Sequence, residues 1–196
     1  EKMPDFIKDE ITQYTKTVQV NRELRGGFIP KYKIESGFHK MIKYIDLAFN
    51  LVKPLEQDII VYRGIHDIDR FFTADKGYTS TATDVRIAYD FTGDECCLLI
   101  IKVPRGSRVL RIPESIGHFL DENEVLLFRG GRFRVSKDSV KKFEPYLENV
   151  PANMKKIVLD YTEATIPQMD VKLIRQIKEY MRNYKPSQGV SRHGEP

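Results

Sequence analysis

Two glutamates, Glu122 and Glu124, come directly before an apolar run in residues 121–133, which read D-E-N-E-V-L-L-F-R-G-G-R-F. Side chains alternate faces along a strand, so residues two apart point to one side, with carboxyl groups roughly 6 to 7 Å apart. Like charges that close repel each other unless a cation lies beside them. The pair is therefore either a solvated acidic loop or a site whose two carboxylates face cationic groups of a substrate.

Two further segments place polar side chains next to apolar runs. They are Y-R-G at residues 62–64 and Y-T-S-T-A at residues 78–82. Arg63 is the more informative residue, because a buried guanidinium is costly unless an anion pairs with it. Each segment lies at the edge of a predicted strand, where loops on a rigid sheet commonly hold ligands.

The first third of the chain is predicted to be helical. Apolar residues recur there at helical spacing: Ile7, Ile11, Tyr14 and Val18, then Phe38, Met41, Ile42, Ile45, Phe49 and Val52. The segment R-G-G-F-I-P between the two stretches predicts a turn, and Pro54 ends the second stretch.

From Leu55 onward the pattern changes to short β-rich runs bounded by Gly, Pro or Asp. The runs are D-I-I-V-Y-R-G, E-C-C-L-L-I-I-K-V-P, S-R-V-L-R-I-P, E-V-L-L-F-R-G, R-F-R-V-S and K-K-I-V-L-D-Y. One helical stretch, residues 85–91, follows the first run. Helices followed by strands predict an α+β fold with a mixed or mostly antiparallel sheet.

We expect one domain over residues 1–165, with a helical lobe at 1–54 and a β core at 55–165. Beyond it, Val171, Ile174, Ile177 and Met181 predict a further helix, and residues 183–196 are polar with Pro and Gly, which is typical of a disordered tail.

Composition excludes several other classes of protein. The 196 residues are 41% hydrophobic, and the apolar runs are far shorter than the roughly 20 residues that span a membrane. The charged first twenty residues do not predict a signal peptide. Cys96 and Cys97 are adjacent and cannot cross-link distant segments, which favours a reducing compartment. We therefore expect a cytoplasmic location, in the producing cell or in a cell the protein is delivered into.

The net charge and the positions of the histidines limit the kinds of ligand that we expect. Lys and Arg exceed Asp and Glu by 32 − 28 = 4, a mild excess that suits an anionic ligand without requiring nucleic acid. The four histidines, at positions 39, 66, 118 and 193, show no metal-ligand spacing, so we predict no metal site.

Together and in this order, Y-R-G, Y-T-S-T-A and E-N-E-V-L-L-F-R-G-G-R-F resemble the arginine-serine-glutamate class of mono-ADP-ribosyltransferases, which includes binary actin-modifying bacterial toxins and vertebrate arginine-modifying ectoenzymes. The resemblance covers residues 53–161. It implies a fold with an N-terminal helical lobe, a mixed, mostly antiparallel two-sheet β core and an NAD cleft. One departure is Ala82, which replaces the third serine of the family's Ser-Thr-Ser triplet.

The resemblance implies NAD as co-substrate and no metal. Glu124 would hydrogen-bond the ribose 2′-hydroxyl and stabilise the cation that develops as the glycosidic bond breaks. Ser80 would orient Glu124, and Arg63 would bind the pyrophosphate. Gly64 would allow the backbone to approach the nicotinamide carboxamide closely.

Two aromatic residues complete the implied NAD-binding set. Phe91 is at the place where the family carries an aromatic residue that packs on nicotinamide, with Tyr89 as the competing candidate. Tyr78 opens the serine motif and is included with it.

The resemblance also indicates the acceptor. Glu122 would pair with an acceptor guanidinium, orient it and accept its proton, because arginine is protonated at neutral pH. Family members with Gln at that position favour other acceptors, so Glu122 implies arginine on a target protein. Phe119 or His118, in the segment before the motif, would contact that target. We expect a monomer.

Other interpretations remain open at this point. The chain is alternatively an NAD glycohydrolase or a catalytically inactive relative that only binds, given Ala82. A glycoside hydrolase is disfavoured, because two acids on one strand face lie on the same side of a sugar. A nucleic-acid surface built on R-G-G-R-F-R at residues 129–134 is also disfavoured, since such a footprint would cluster more cations.

Overall fold

A computed structural model describes residues 3–17, 19–25, 35–65, 75–92, 97–112, 124–166, 175 and 179. The predicted C-terminal helix and tail lie outside these residues, apart from the helical positions 175 and 179. Among the described residues, no helix is long and apolar enough to cross a membrane.

The structure describes three helices in the N-terminal lobe. They are α1 (Asp5–Thr15), α2 (Gln19–Leu24) and α3 (Glu35–Leu51). Helix α1 buries Ile7, Ile11 and Tyr14 on one face, as their spacing predicts. It ends at Thr15, and Val18, which was expected to continue the stripe, lies outside the described residues.

Among the described residues, seven strands and one short α-helix belong to the β core. Six of the strands and the helix correspond to the six β-rich runs and to the stretch at 85–91, and the seventh strand, β2 (Thr79–Ala82), carries the segment Y-T-S-T-A. The strands are β1 (Ile59–Ile65), β2 (Thr79–Ala82), β3 (Cys97–Val103), β4 (Val109–Arg111), β5 (Glu124–Leu127), β6 (Arg132–Val135) and β7 (Lys155–Thr162). Helix α4 (Val85–Asp90) follows β2, and its N-terminus is capped by Asp84, whose side chain accepts a hydrogen bond from the Arg86 amide.

The described strands form one mixed sheet in the order β4-β5-β2-β1-β3-β7-β6, and among them only β3 and β7 pair in parallel. The resemblance implies a β core of two sheets, whereas the described strands form one sheet. The two halves of that sheet meet at β1 and β2, whose described pairing is the single register Tyr62↔Ala82. This narrow junction lets β1 diverge from β2 beyond Tyr62, where Arg63 and Gly64 follow.

Hydrophobic packing joins the helical lobe to the sheet. Residues of α1, α2 and α3 pack with Tyr78, Leu110, Leu126 and Phe128 in one buried cluster. In a second buried cluster, α4 and a 3-10 helix (Val140–Tyr146) pack against the central strands of the sheet. Strands β2 and β5 are thus held from one side by the helical lobe.

Candidate active site

Arg63, Ser80 and Glu124, which come from three different strands, lie together at one cleft of ≈ 440 Å³. The volume is in the ordinary range for a small-molecule site. Other residues lining the cleft are Tyr62, Gly64, Thr81, Ala82, Ile87, Ala88 and Phe91. The sequence motifs therefore converge in space.

The pairing of β2 with β5 places Ser80 next to Glu124. Ala82 is directly opposite Glu124, and Ser80 is opposite Leu126. Directly opposed residues have side chains on the same face, and so do residues two apart. The Ser80 hydroxyl is placed to hydrogen-bond the Glu124 carboxyl group, an interaction that lowers the pKa of Glu124, while Ala82 presents only a methyl group to it.

Burial raises the pKa of Glu124 above its usual value, and this effect outweighs two opposing ones. The hydrogen bond from Ser80 and the positive charge of Arg63 both lower the pKa. The carboxylate is thus held in a partly desolvated place where a cation would stabilise its charged form.

The guanidinium of Arg63 is only partly satisfied. Its Nη1 donates to the Ser80 backbone oxygen at 2.6 Å, and its buried Nε has no hydrogen-bond partner among the described residues. Burial lowers the pKa of Arg63, while Asp75 and Glu124 raise it. A buried donor without a partner is unfavourable, so an anionic ligand that reaches this nitrogen would gain a charge-assisted hydrogen bond.

Gly64 allows α4 to pack closely on β1. A Cβ atom at this position would clash with the Ala88 backbone oxygen and lie 2.8 Å from Thr92 Cγ2. The structure thus shows that the protein's own helix requires the absence of a side chain at Gly64, and the close approach of a ligand there stays a prediction. Phe91, at the end of α4, is 49% exposed and lines the cleft.

The helical lobe contributes residues that sequence analysis missed. Asn21 on α2 accepts a hydrogen bond from the Tyr78 amide at 2.8 Å and donates to the Tyr14 hydroxyl at 2.7 Å. Arg25 makes two hydrogen bonds to Asp75, at 2.8 and 2.7 Å. No sequence spacing relates residues 21 and 25 to residues 75 and 78, because these contacts exist only after the lobe packs on the core.

Asp75 joins the lobe to the start of β2. Besides Arg25, its carboxylate accepts from the Gly77 amide at 2.9 Å and from the Thr79 hydroxyl at 3.0 Å. Its negative charge also acts on Arg63. The segment leading to Ser80 is therefore fixed by the lobe as well as by the sheet.

Tyr78, which the resemblance places in the NAD-binding set, lies in the core between the helical lobe and the sheet. Its side chain is 0% exposed and packs in the cluster between lobe and sheet, with its hydroxyl donating to Asp46 at 2.6 Å. This placement does not support direct contact between the Tyr78 side chain and the cofactor. Glu122, Phe119 and His118 lie outside the described residues.

Within the part of the chain that the structure describes, no group of three or more His, Cys, Asp or Glu side chains could hold a metal ion. Among the described residues that line the cleft, Glu124 supplies a carboxylate, Arg63 a guanidinium and Ser80 a hydroxyl group next to Glu124. This combination suits a ligand that carries both an anionic group and a developing positive charge.

Comparison with known proteins defines the class. The family described as ADP-ribosyltransferase exoenzyme matches residues 4–165, and the chain belongs to this family. None of the curated proteins matches the chain. The protein is thus an exotoxin-like catalytic domain of the ADP-ribosyltransferases, with NAD as co-substrate.

Solved structures share the fold at low sequence identity. Plx2a, an ADP-ribosyltransferase toxin from Paenibacillus larvae, is 20% identical with a TM-score of 0.62, covering 82% of this chain and 88% of that chain. C3stau2 from S. aureus with NAD is 17% identical with a TM-score of 0.60, covering 83% and 89%. The ADP-ribosyltransferase Vis in complex with agmatine is 16% identical with a TM-score of 0.56, covering 85% and 79%.

Proposed function

We propose that this protein transfers ADP-ribose from NAD to an arginine side chain of a target protein and releases nicotinamide. The observation that carries the proposal is the convergence of Arg63, Ser80 and Glu124 at one cleft, together with a second glutamate two residues before Glu124.

Glu124 supplies the negative charge for breaking the glycosidic bond. As nicotinamide leaves, positive charge develops on the ribose, and a fixed carboxylate beside it stabilises the transition state more than the ground state. Burial leaves the ionised carboxylate of Glu124 poorly solvated, which raises its pKa and strengthens its interaction with that developing charge. Ser80 holds the carboxylate in place through its hydrogen bond.

Arg63 binds the anionic part of NAD. Its buried Nε lacks a partner among the described residues, and a pyrophosphate oxygen fits this donor in charge and hydrogen-bonding type. Phe91, exposed at the wall of the cleft, offers an aromatic face for nicotinamide.

Glu122 selects the acceptor. Side-chain alternation along an extended chain predicts that it faces the same side as Glu124, although Glu122 itself is outside the described residues. There it pairs with an acceptor guanidinium, turns one nitrogen toward the ribose and accepts its proton. The complex of Vis with agmatine, a small guanidinium compound, is consistent with such an acceptor in this fold.

The protein acts as a monomer in the cytoplasm, either of the producing cell or of a cell that it enters. The absence of distant cysteine pairs in the sequence supports a reducing compartment. Phe119, two residues before the acidic segment begins, contacts the target protein.

Incubation with NAD labelled in its adenylate portion, with and without agmatine, tests the proposal. We expect release of nicotinamide and formation of ADP-ribosylated agmatine. Nicotinamide release with free ADP-ribose as the only labelled product, even with agmatine or a cell lysate present, would indicate a glycohydrolase instead. No nicotinamide release in any mixture would contradict NAD cleavage by this domain.

A further inference from the structure

A partly buried ionic network lies between α3 and the sheet. Its centre is Asp46 on α3, which is 8% exposed. Asp46 Oδ1 accepts from the Tyr78 hydroxyl at 2.6 Å. Arg129 donates to both carboxylate oxygens of Asp46. Its Nε lies 3.0 Å from Oδ1 and 3.2 Å from Oδ2, and its Nη2 lies 2.7 Å from Oδ2.

The two partners of Asp46 flank the strands that carry the active-site groups. Tyr78 directly precedes β2 and is two residues before Ser80, while Arg129 follows β5, which begins with Glu124. Both partners thus extend from the ends of β2 and β5 that lie away from Ala82 and Glu124. One carboxylate on the helical lobe therefore holds both strands.

The turn after Arg129 connects the network to the segment that leads into β2. The Asp75 amide donates to the Gly131 backbone oxygen at 3.1 Å, and the Asp75 carboxylate holds Thr79 and Arg25. Arg129, Asp75 and Thr79 are thereby linked without passing through the cleft.

Aromatic packing around Tyr78 leaves its hydroxyl little freedom. The Tyr78 ring stacks on Phe49 of α3 with centroids 6.0 Å apart and an interplanar angle of 6°, and it meets Tyr14 of α1 edge-on at 5.7 Å. The hydroxyl also lies 3.2 Å from the Ile42 backbone oxygen. A small change at Asp46 is therefore transmitted to the backbone of Tyr78 and to β2, rather than absorbed by a side-chain rotation.

We infer that Asp46 is a positioning residue for NAD cleavage: by holding Tyr78 and Arg129, it sets the position of Ser80 and Glu124 relative to the helical lobe. The inference rests on NAD cleavage at this cleft and extends it to a residue that does not touch the substrate. It also gives Tyr78 a role in support of β2, in place of the predicted cofactor contact.

A buried ion pair is a weak source of stability, because desolvation offsets much of the attraction. A role in stability alone predicts that disrupting the network lowers the melting temperature and leaves the turnover of the folded enzyme unchanged. A positioning role predicts a fall in kcat, since a displacement of about 1 Å at a reacting centre can reduce the rate by a factor of about 10².

Two variants separate these roles. Asp46→Asn keeps the size of the side chain and removes the charge that holds Arg129. Tyr78→Phe keeps the buried ring and removes only the hydroxyl. We expect each to lower kcat for nicotinamide release about tenfold while KM for NAD changes less, because Arg63 is on β1 and its contact with β2 is a single hydrogen bond to the Ser80 backbone oxygen.

Lys102→Gln is the matched control. Lys102 also makes two partly buried ion pairs, to Asp138 at 2.6 Å and to Asp160 at 2.9 Å, but these join β3 and β7 to the loop after β6 and lie away from the cleft. We expect this variant to lose thermal stability and retain the wild-type kcat.

Amide hydrogen exchange provides a readout that does not depend on activity. We expect faster exchange at residues 79–81 and 125–127 in Asp46→Asn and Tyr78→Phe, and no change there in Lys102→Gln. If Asp46→Asn does not fold, Tyr78→Phe decides.

The outcomes are distinct. Unchanged kcat in folded Asp46→Asn and Tyr78→Phe, or equal losses of kcat in Lys102→Gln, would overturn the positioning role. If wild-type protein releases no nicotinamide, the proposed function fails, and unchanged exchange in strands β2 and β5 of the variants would then overturn the positioning role separately.

Discussion

At the scale of single residues, Glu124 is the group on which the chemistry depends most directly. Its carboxyl group is largely buried, it is hydrogen-bonded by Ser80, and it lies within the field of Arg63. Each of these neighbours stabilises the ionised form, whereas burial destabilises it. The balance leaves an anion that gains from a positive charge in the cleft.

Replacement of Glu124 by Gln is expected to reduce both ADP-ribosyl transfer and NAD hydrolysis by about 10² to 10⁴, the range typical of a lost electrostatic or acid-base group. Nicotinamide release and labelling of agmatine measure the two activities. Glu122→Gln is the matched variant, because it is expected to abolish most transfer to arginine and spare much of the hydrolysis. Equal loss of both activities in Glu122→Gln would contradict the separate roles of the two acids.

The raised pKa of Glu124 predicts a pH dependence. Catalysis needs the ionised carboxylate, so kcat/KM for NAD hydrolysis should fall as pH drops through the pKa of the free enzyme. Because burial raises that pKa, we expect the acid limb above the ordinary glutamate value of about 4.3.

Ser80→Ala tests whether the ionisation of Glu124 sets the acid limb of the pH–rate profile. Removal of the Ser80 hydroxyl takes away a hydrogen bond that favours the ionised form, so the acid limb should move to higher pH. A pH–rate series from pH 4 to 9 on wild type and variant measures the shift. An acid limb that stays fixed, or moves to lower pH, would show that the Ser80 hydrogen bond does not govern the ionisation of Glu124.

At the scale of secondary-structure elements, the packing of α4 on β1 shapes the wall of the cleft. Gly64 is the point of closest approach, since any Cβ there would clash with the Ala88 backbone oxygen. Helix α4 ends at Asp90, and Phe91 follows directly. The position of Phe91 thus depends on the absence of a side chain at residue 64.

Gly64→Ala is therefore expected to displace α4, lower the free energy of unfolding by about 1 to 3 kcal/mol as overpacking typically does, and raise KM for NAD. Thermal unfolding and steady-state kinetics measure the two effects. Gly106→Ala is a suitable comparison: its φ of +90° makes the substitution strained, but no atom lies within 4 Å of the added Cβ and the site is an exposed turn. A rise in KM in Gly106→Ala equal to that in Gly64→Ala would argue against a specific effect of α4.

The sequence predicts elements well where local pattern decides them. The order of helices and strands follows from periodicity, and the proximity of Arg63, Ser80 and Glu124 is implied by the resemblance of the three ordered motifs to the ADP-ribosyltransferases. Contacts that need the packed lobe do not follow from local pattern. Asn21, Arg25 and Asp75 have no mutual spacing that indicates a site, and the side chain of Tyr78 is directed by Asp46, which is 32 residues away in the chain.

Pairing across the centre of the sheet is a second feature that local pattern cannot give. Alternating apolar residues define strands, but the single β1–β2 register at Tyr62 and Ala82 depends on how the two halves of the core are packed. Two separate sheets and one sheet with a narrow junction have the same sequence pattern.

At the scale of the whole molecule, polar contacts among the described residues attach the helical lobe to the β core at two places, in addition to the apolar packing between them. One is the Asp46 network with its surrounding aromatic cluster, and the other is the set of contacts that Asn21 and Arg25 make near the start of β2. The second attachment is closer to the cleft, because Arg25 and Asp75 both act electrostatically on Arg63. The lobe thus contributes to the electrostatics of the site as well as to its stability.

The Arg25–Asp75 pair provides a test of this attachment. Arg25 is 40% exposed in its side chain and Asp75 only 14%, so solvent screens the pair in part and its contribution is about 1 kcal/mol. Arg25→Gln should lower the melting temperature by about 2 to 4 °C for a domain of this size, because it leaves the less exposed carboxylate with fewer donors.

Adding Asp75→Asn should recover part of the loss, since the uncompensated charge is removed. Thermal unfolding of the wild type, both single variants and the double variant gives the coupling free energy. The coupling should weaken in high salt, and strictly additive losses at low salt would mean that the two side chains do not stabilise the junction as a pair.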